Sequence, residues 1–473
     1  MSLRSRALRG GAYISIREGL GIALRLSSTL VVTRAIGPTD YGLFAGAGAG
    51  VTFLALVAQF GMGVYVIRLE TEPTAEHYDV LFTAVLFTSV AAALLGVGVS
   101  LALTGPVVAA ANILPFQVLA IALPINVLWT PAQAKLERGL QYRRMAWVEI
   151  AGDVVLAGVS IVLALAGLGV WAPVIGYISW QSTILVSSFV AAGYRPRILF
   201  RRAMAVAMLR YGFGFSASNL VYQANELSGP VVVGSLLGPH ALGLAALASK
   251  IAESLCFVAR ATWRLSIVVF GRLQADAARL GRAVSEAMAL QAVALAPILG
   301  GFAIFATLLV PAVFGDAWRP AVELLPPVMV GYLLTAVFNM EASLLYVRGE
   351  SATMFVTNLV RIGLLFGVGF LLVPRLGTIG WAIAFGLHPI GFLVCIRRVD
   401  RLLPVSYVAV SCWLVASIPP LFAPYLPWEL RALLLLPAIA ICCTPWARDQ
   451  LKEYARYVRA ARRTRTTAAP SAA

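Results

Sequence analysis

The residues best able to do chemistry in this chain are charged groups stranded inside apolar runs: Arg17, Arg25, Glu226, Lys250, Glu253, Arg260 and Arg361. Placing such a group in lipid costs roughly 3 kcal/mol or more, so each is expected to face a bundle interior or a wet cavity. Arg17 and Arg25 are eight residues apart. On a helix that spacing is about 80° of rotation and ~12 Å of rise, so both can line one wall. Lys250, Glu253, Arg260 and Arg264 fall within an arc of about 80° on an unbroken helix and form one charged stripe. Guanidinium groups present fixed donor forks that suit phosphate. Arg17, Arg25, Lys250, Arg260 and Arg361 therefore read as a cationic site for a phosphate-bearing substrate. Glu226 and Glu253 read as ion-coupling carboxylates, able to exchange a proton or Na⁺ beside those cations. Arg260, Arg264, Glu149 and Asp153, nearer the membrane surface, have a plainer alternative: they snorkel, or pair to hold helices together.

The elements that must position these groups follow from composition. Of the 473 residues 60% are hydrophobic and 12% charged, which excludes a soluble globular protein and predicts an all-α polytopic membrane protein. With about 20 apolar residues per crossing, about fourteen transmembrane helices are expected, the last two interrupted by Pro419, Pro420 and Pro424. Lys and Arg cluster in alternate loops, as at Lys135–Arg144, Arg195–Arg202, Arg272–Arg282 and Arg397–Arg401. That alternation predicts cytoplasmic termini on both ends of a multi-pass protein of the cell (inner) membrane. It also gives the net charge of +16 a membrane explanation, with no nucleic acid as partner. The basic N-terminus lacks a small-residue cleavage site, so the first helix is expected to be retained. The connection 193–210, with five arginines, reads as an amphipathic interfacial segment.

An internal repeat organises the chain. Ile36-Gly37-Pro38-Thr39-Asp40-Tyr41-Gly42-Leu43 recurs 201 positions later as Leu237-Gly238-Pro239-His240-Ala241-Leu242-Gly243-Leu244. At a shift of 210, Arg138-Gly139 falls on Arg348-Gly349, and the run from Gly167 to Ala172 falls on Gly377 to Ala382. Six helices separate equivalent points, so the halves are parallel repeats, the arrangement of alternating-access carriers. The expected organisation is a six-helix lobe over 1–200, a second over 201–400, and two additional helices with a basic tail over 401–473. Glu226 is the repeat counterpart of Arg25 and is expected to pair with it in one state.

Other chemistries lack their residues. No GxxxxGK[ST] loop, HExxH or Cys/His cluster occurs, and His77, His240 and His388 are scattered. No cofactor, metal or catalytic residue is therefore assigned, and the chain does not read as an enzyme. The five cysteines lie in or beside apolar helices and read as small apolar residues.

The turn Arg34-Ala35-Ile36-Gly37-Pro38-Thr39-Asp40-Tyr41-Gly42-Leu43-Phe44, between a polar first helix and a Gly/Ala-rich second one, resembles the polysaccharide-biosynthesis flippases. These belong to the multidrug/oligosaccharidyl-lipid/polysaccharide exporter superfamily. The resemblance covers roughly residues 10 to 400. It implies translocation of polyprenyl-pyrophosphate-linked oligosaccharide to the outer leaflet, for surface polysaccharides such as lipopolysaccharide O-antigen or exopolysaccharide. It also implies a polysaccharide polymerase and glycosyltransferases of the same pathway as partners. Cationic cavity residues on the first and eighth helices are a mark of that family, and Arg17, Arg25, Lys250 and Arg260 occupy comparable places here. The alternatives are a drug exporter of the same fold, which favours an acidic cavity, and a membrane glycosyltransferase, which needs an acidic catalytic pair.

Overall fold

Lipid offers no hydrogen-bond partner to a backbone, so apolar segments of this length must satisfy their peptide groups internally as helices. A computed structural model describes residues 3–103, 110–452, 454 and 456, without the side chains of 3–20, 22, 23, 103, 110, 111, 213–218, 260, 261, 264 and 268. Among the described residues every regular element is helical and there is no strand. Among the described residues ten helices are long and apolar enough to cross a membrane. The number becomes twelve if the bent pairs Asn112–Ile121 with Leu123–Arg138 (53°) and Trp428–Cys443 with Pro445–Lys452 (80°) each count as one span.

Two of the ten, Leu24–Gln59 and Asn219–Leu255, run for 36 and 37 residues, nearly twice what a bilayer core of ~30 Å needs. Each contains a break at a glycine. Gly37 has φ 76° and ψ 176°, and Gly238 has φ 82° and ψ −178°. That region of backbone space is essentially closed to residues with a Cβ, and the proline after each glycine cannot return a helical N–H. Dividing these two runs at their glycines is what a count of fourteen requires.

The first compact unit comprises Met1–Leu247, Val310–Pro320 and Ile362–Ala384. Its core includes Val51, Met62, Val66, Leu81, Leu123 and Val127, all fully enclosed. Within it the repeat becomes geometry. A Cβ on Gly42 would lie 1.9 Å from the Pro239 carbonyl oxygen, and a Cβ on Gly243 would lie 1.9 Å from that of Pro38. Thr39 and His240, which are repeat partners, meet each other directly (Oγ1 to Nδ1, 3.3 Å). A contact that maps onto itself when partners are exchanged is the mark of a two-fold relation. Arg34 donates to the carbonyls of Ala312 and Val313 at the end of helix Ala277–Phe314 (3.1 and 3.2 Å), satisfying acceptors that a helix end leaves open.

Two local features add to the sequence reading. The segment 194–201 is irregular, and helix begins only at Arg202. Its Tyr194 hydroxyl bonds Asp79 Oδ1 at 3.0 Å, and Arg201 pairs with Glu76 at 3.0 Å. These anchors pin the chain to helix Ala75–Leu103. The repeat at Arg138-Gly139 is also displaced by one residue. The left-handed positions are Leu140 (φ 51°) and Gly349 (φ 74°), each followed by the same pair of turn hydrogen bonds.

The second unit comprises Ala248–Leu309, Ala321–Arg361 and Phe385–Ala473, with Leu280, Met288, Leu295, Val328 and Leu333 in its core. Its end is wound into 3₁₀ segments, Pro419–Tyr425, where prolines supply no N–H groups, and Trp428–Leu435. Buried Arg431 fastens them, donating to the Ile304 carbonyl and to Thr307 Oγ1 (2.8 Å). Cys256 and Cys395 are buried as expected, whereas Cys443 is exposed.

Candidate functional site

Arg25 is the half of the first helix's charge that the structure describes in full; the side chains of Arg17, Arg260 and Arg264 lie outside it. Its Nη1 donates to both carboxylate oxygens of Asp153, at 3.0 and 2.8 Å. The carboxylate is enclosed, 4% exposed, while the arginine side chain is 43% exposed. One turn earlier Gly21 leaves the room: a Cβ there would fall 2.6 Å from Asp153 Oδ2. Glu226 is expected to pair with Arg25 in one state; the carboxylate that meets Arg25 here is Asp153, which the sequence reading set near the membrane surface.

Glu226 is exposed in a 3₁₀ turn, Ala224–Leu227, followed by a π-helical stretch, Gly229–Gly234. The seventh span is therefore broken at its carboxylate and not the regular helix that its hydropathy suggests. Gly229-Pro230 was the signal available for that break.

Lys250 and Glu253 pair within one helix, Ser235–Leu255, at 3.1 Å, with side chains 48% and 40% exposed. The helix ends there, and a new one, Phe257–Leu273, starts after Cys256. The stripe expected from Lys250 to Arg264 thus crosses a break, and its angular argument holds within each helix but not between the two.

Arg361 is 2% exposed. It donates from Nη2 to Thr335 Oγ1 (3.2 Å) and His388 Nε2 (2.9 Å), with its guanidinium carbon 4.3 Å from the centre of the Phe392 ring. A guanidinium only donates, so His388 Nε2 accepts. The ring proton then sits on Nδ1, facing the Phe385 carbonyl. Gly391 permits the approach, since a Cβ there would come within 2.5 Å of Arg361 Cγ. His388, one of three histidines that looked scattered, is the residue that sequence reasoning missed here. Among the described residues no three His, Cys, Asp or Glu side chains converge on a metal position.

What Arg25 and Lys250 share is a carboxylate partner together with substantial exposure. An exposed ion pair is worth about 1 kcal/mol or less, so Lys250 can exchange its carboxylate for a phosphate at little cost, whereas Arg25 must do so against the enclosed carboxylate of Asp153. Arg361, enclosed by neutral acceptors and a ring, presents no such open face.

An all-helical chain with parallel repeats, Gly-Pro breaks and paired intramembrane charges has the fold of the multidrug/oligosaccharidyl-lipid/polysaccharide exporter superfamily. The match to the solved lipid II flippase MurJ covers 92% of this chain and 96% of that one, with a TM-score of 0.72 at 13% identity. An inward-facing multidrug resistance MATE transporter matches over 82% of this chain and 98% of its own, with a TM-score of 0.63 at 18% identity. Residues 31–323 match the polysaccharide biosynthesis protein family, and the chain belongs to it. Among curated relatives, the succinoglycan biosynthesis transport protein ExoT of Rhizobium meliloti is 23% identical over 63% of this chain and 60% of its own length. The lipopolysaccharide biosynthesis protein WzxC of Escherichia coli is 24% identical over 90% of this chain and 88% of its own.

Proposed function

We propose that this protein flips a polyprenyl-pyrophosphate-linked oligosaccharide across the cytoplasmic membrane for cell-surface polysaccharide biosynthesis, by alternating access. Family membership over residues 31–323 carries this reading, and the names of its relatives as transport and lipopolysaccharide biosynthesis proteins agree with it. Arg25 and Lys250 take the diphosphate, each releasing its carboxylate as the phosphate arrives. Arg17 and Arg260 add positive charge along the route, and the enclosed Arg361 contributes its longer-range field without touching the substrate. Glu226, at a break in its helix, and Glu253 exchange the coupling proton or Na⁺. Broken helices near mid-membrane are where carriers of this kind hold their ions.

The chain crosses the membrane fourteen times with both termini cytoplasmic. Residues 1–200 and 201–400 are the functional lobes, and 401–473 supply two further helices and a basic tail. The polymerase and glycosyltransferases of the same pathway are its working partners, and it performs no covalent chemistry itself.

The fold likeness to a MATE transporter favours a second reading, export of a drug. A substrate that copurifies with the protein separates the two. Native mass spectrometry of protein extracted from its own membrane is expected to release a polyprenyl-linked glycan. A drug-like cation bound in its place, with no such lipid, sinks the proposal.

A further inference from the structure

The two repeats carry the same surface groove with different chemistry. In the first unit a groove of about 880 Å³ lies between the starts and ends of helices Tyr142–Leu165 and Trp171–Ala192. In the second, a groove of about 520 Å³ lies between the start of helix Ser351–Leu376 and one side of helix Leu393–Leu402. Their linings correspond position by position. Arg144 and Trp147 fall on Thr353 and Val356 at a shift of 209, the shift that the preceding turn also shows. On the other wall Val186, Ser187 and Val190 fall on Arg397, Arg398 and Arg401 at a shift of 211. A wall that is apolar or neutral in one repeat is three arginines in the other.

The first groove spends its single cation internally. Arg144 Nη1 donates to the Ala191 carbonyl and to Gln141 Oε1, both at 2.9 Å. In the second, Arg398 is neutralised by Glu350. Arg397 and Arg401 are exposed and have no hydrogen bond or ion pair among the described residues. Beside them Val356 and Leu393 are exposed apolar side chains, so cationic and lipid-compatible surfaces meet in one concavity.

We propose that this second groove holds one anionic phospholipid, its phosphate on Arg397 and Arg401 and its first methylenes along Val356 and Leu393. Two uncompensated arginines at a membrane surface favour an anionic over a neutral headgroup by roughly 30-fold. A preference of that size fills a site from an abundant bulk lipid and does not hold a rare one, which is why a phospholipid, not the transported diphosphate, is the occupant. The inference does not depend on what the protein transports.

The test uses full-length protein in phosphatidylcholine nanodiscs doped with phosphatidylglycerol, counting the phosphatidylglycerol retained through delipidation by native mass spectrometry. The wild type is expected to keep one molecule that R397Q/R401Q loses, while R195Q/R197Q, with the same loss of charge elsewhere, keeps it. V356W, which fills the groove without altering charge, is expected to lose it as well and covers the case in which the arginine variant fails to fold. Equal retention in all variants, or equal loss from R195Q/R197Q, overturns the site. Farnesyl diphosphate is added as a competitor. If it strips the retained lipid from the wild type, the groove is a diphosphate site and the phospholipid assignment falls.

Discussion

Arg25 and Asp153 meet across 128 positions of sequence, and the cost of separating them is unequal. Arg25→Ala removes a two-oxygen donor from an enclosed carboxylate, which costs about 1–3 kcal/mol. Partial exposure of the arginine puts the value toward the lower end. The thermal midpoint of the purified protein is expected to fall in Arg25→Ala and to recover in Arg25→Ala/Asp153→Asn, where the charge that Arg25 balanced is gone. Transport then separates structure from function. The stable double variant is expected to carry no lipid, whereas normal transport would leave Arg25 as nothing more than a counter-ion for Asp153. At the membrane surface, the Arg398 hydrogen bond and then the Thr353 hydroxyl hold the Glu350 carboxyl below the usual carboxylate range. A depressed carboxyl contributes stability above its unfolded value and loses it as pH falls through the folded one. Acid titration of stability is therefore expected to be flatter in Glu350→Gln, and an unchanged acid limb would contradict this pairing.

The helices around those residues were legible wherever punctuation was local. Gly37-Pro38 and Gly238-Pro239 announce their own breaks, since only glycine takes the observed backbone and proline forbids the regular alternative. The partnership of Arg25 with Asp153 had no such signal, because a contact between helices is set by packing that spacing within one helix does not encode. The break at Cys256 was silent for the same reason: Leu255-Cys256-Phe257 contains no residue that resists helix. His388 acquires meaning only when its helix returns beside Arg361, 27 residues earlier in sequence. The glycine repeat makes a sharp prediction. Gly42→Ala and Gly243→Ala each place a methyl 1.9 Å from a carbonyl of the other repeat, so the two are expected to lower thermal stability by similar amounts. Because the two contacts are immediate neighbours, their double variant is expected to fall short of the sum. Full additivity would mean that the two contacts are energetically separate.

For the whole molecule, orientation and transport are the quantities that matter. Thr39→Cys and His240→Cys occupy exposed repeat-equivalent positions and are expected to react with an impermeant thiol reagent from outside. Arg143→Cys is expected to react only from within; labelling from outside would invert the topology. The most direct measurement reconstitutes the purified protein into sealed vesicles that hold a polyprenyl-pyrophosphate-linked glycan in one leaflet. An impermeant oxidant reports its arrival in the other. The wild type is expected to expose the glycan far faster than protein-free vesicles, and to slow when the ion gradient or the potential is collapsed. Exposure at the protein-free rate, with the gradient and potential intact, would contradict the assignment of this chain as a lipid-linked oligosaccharide flippase.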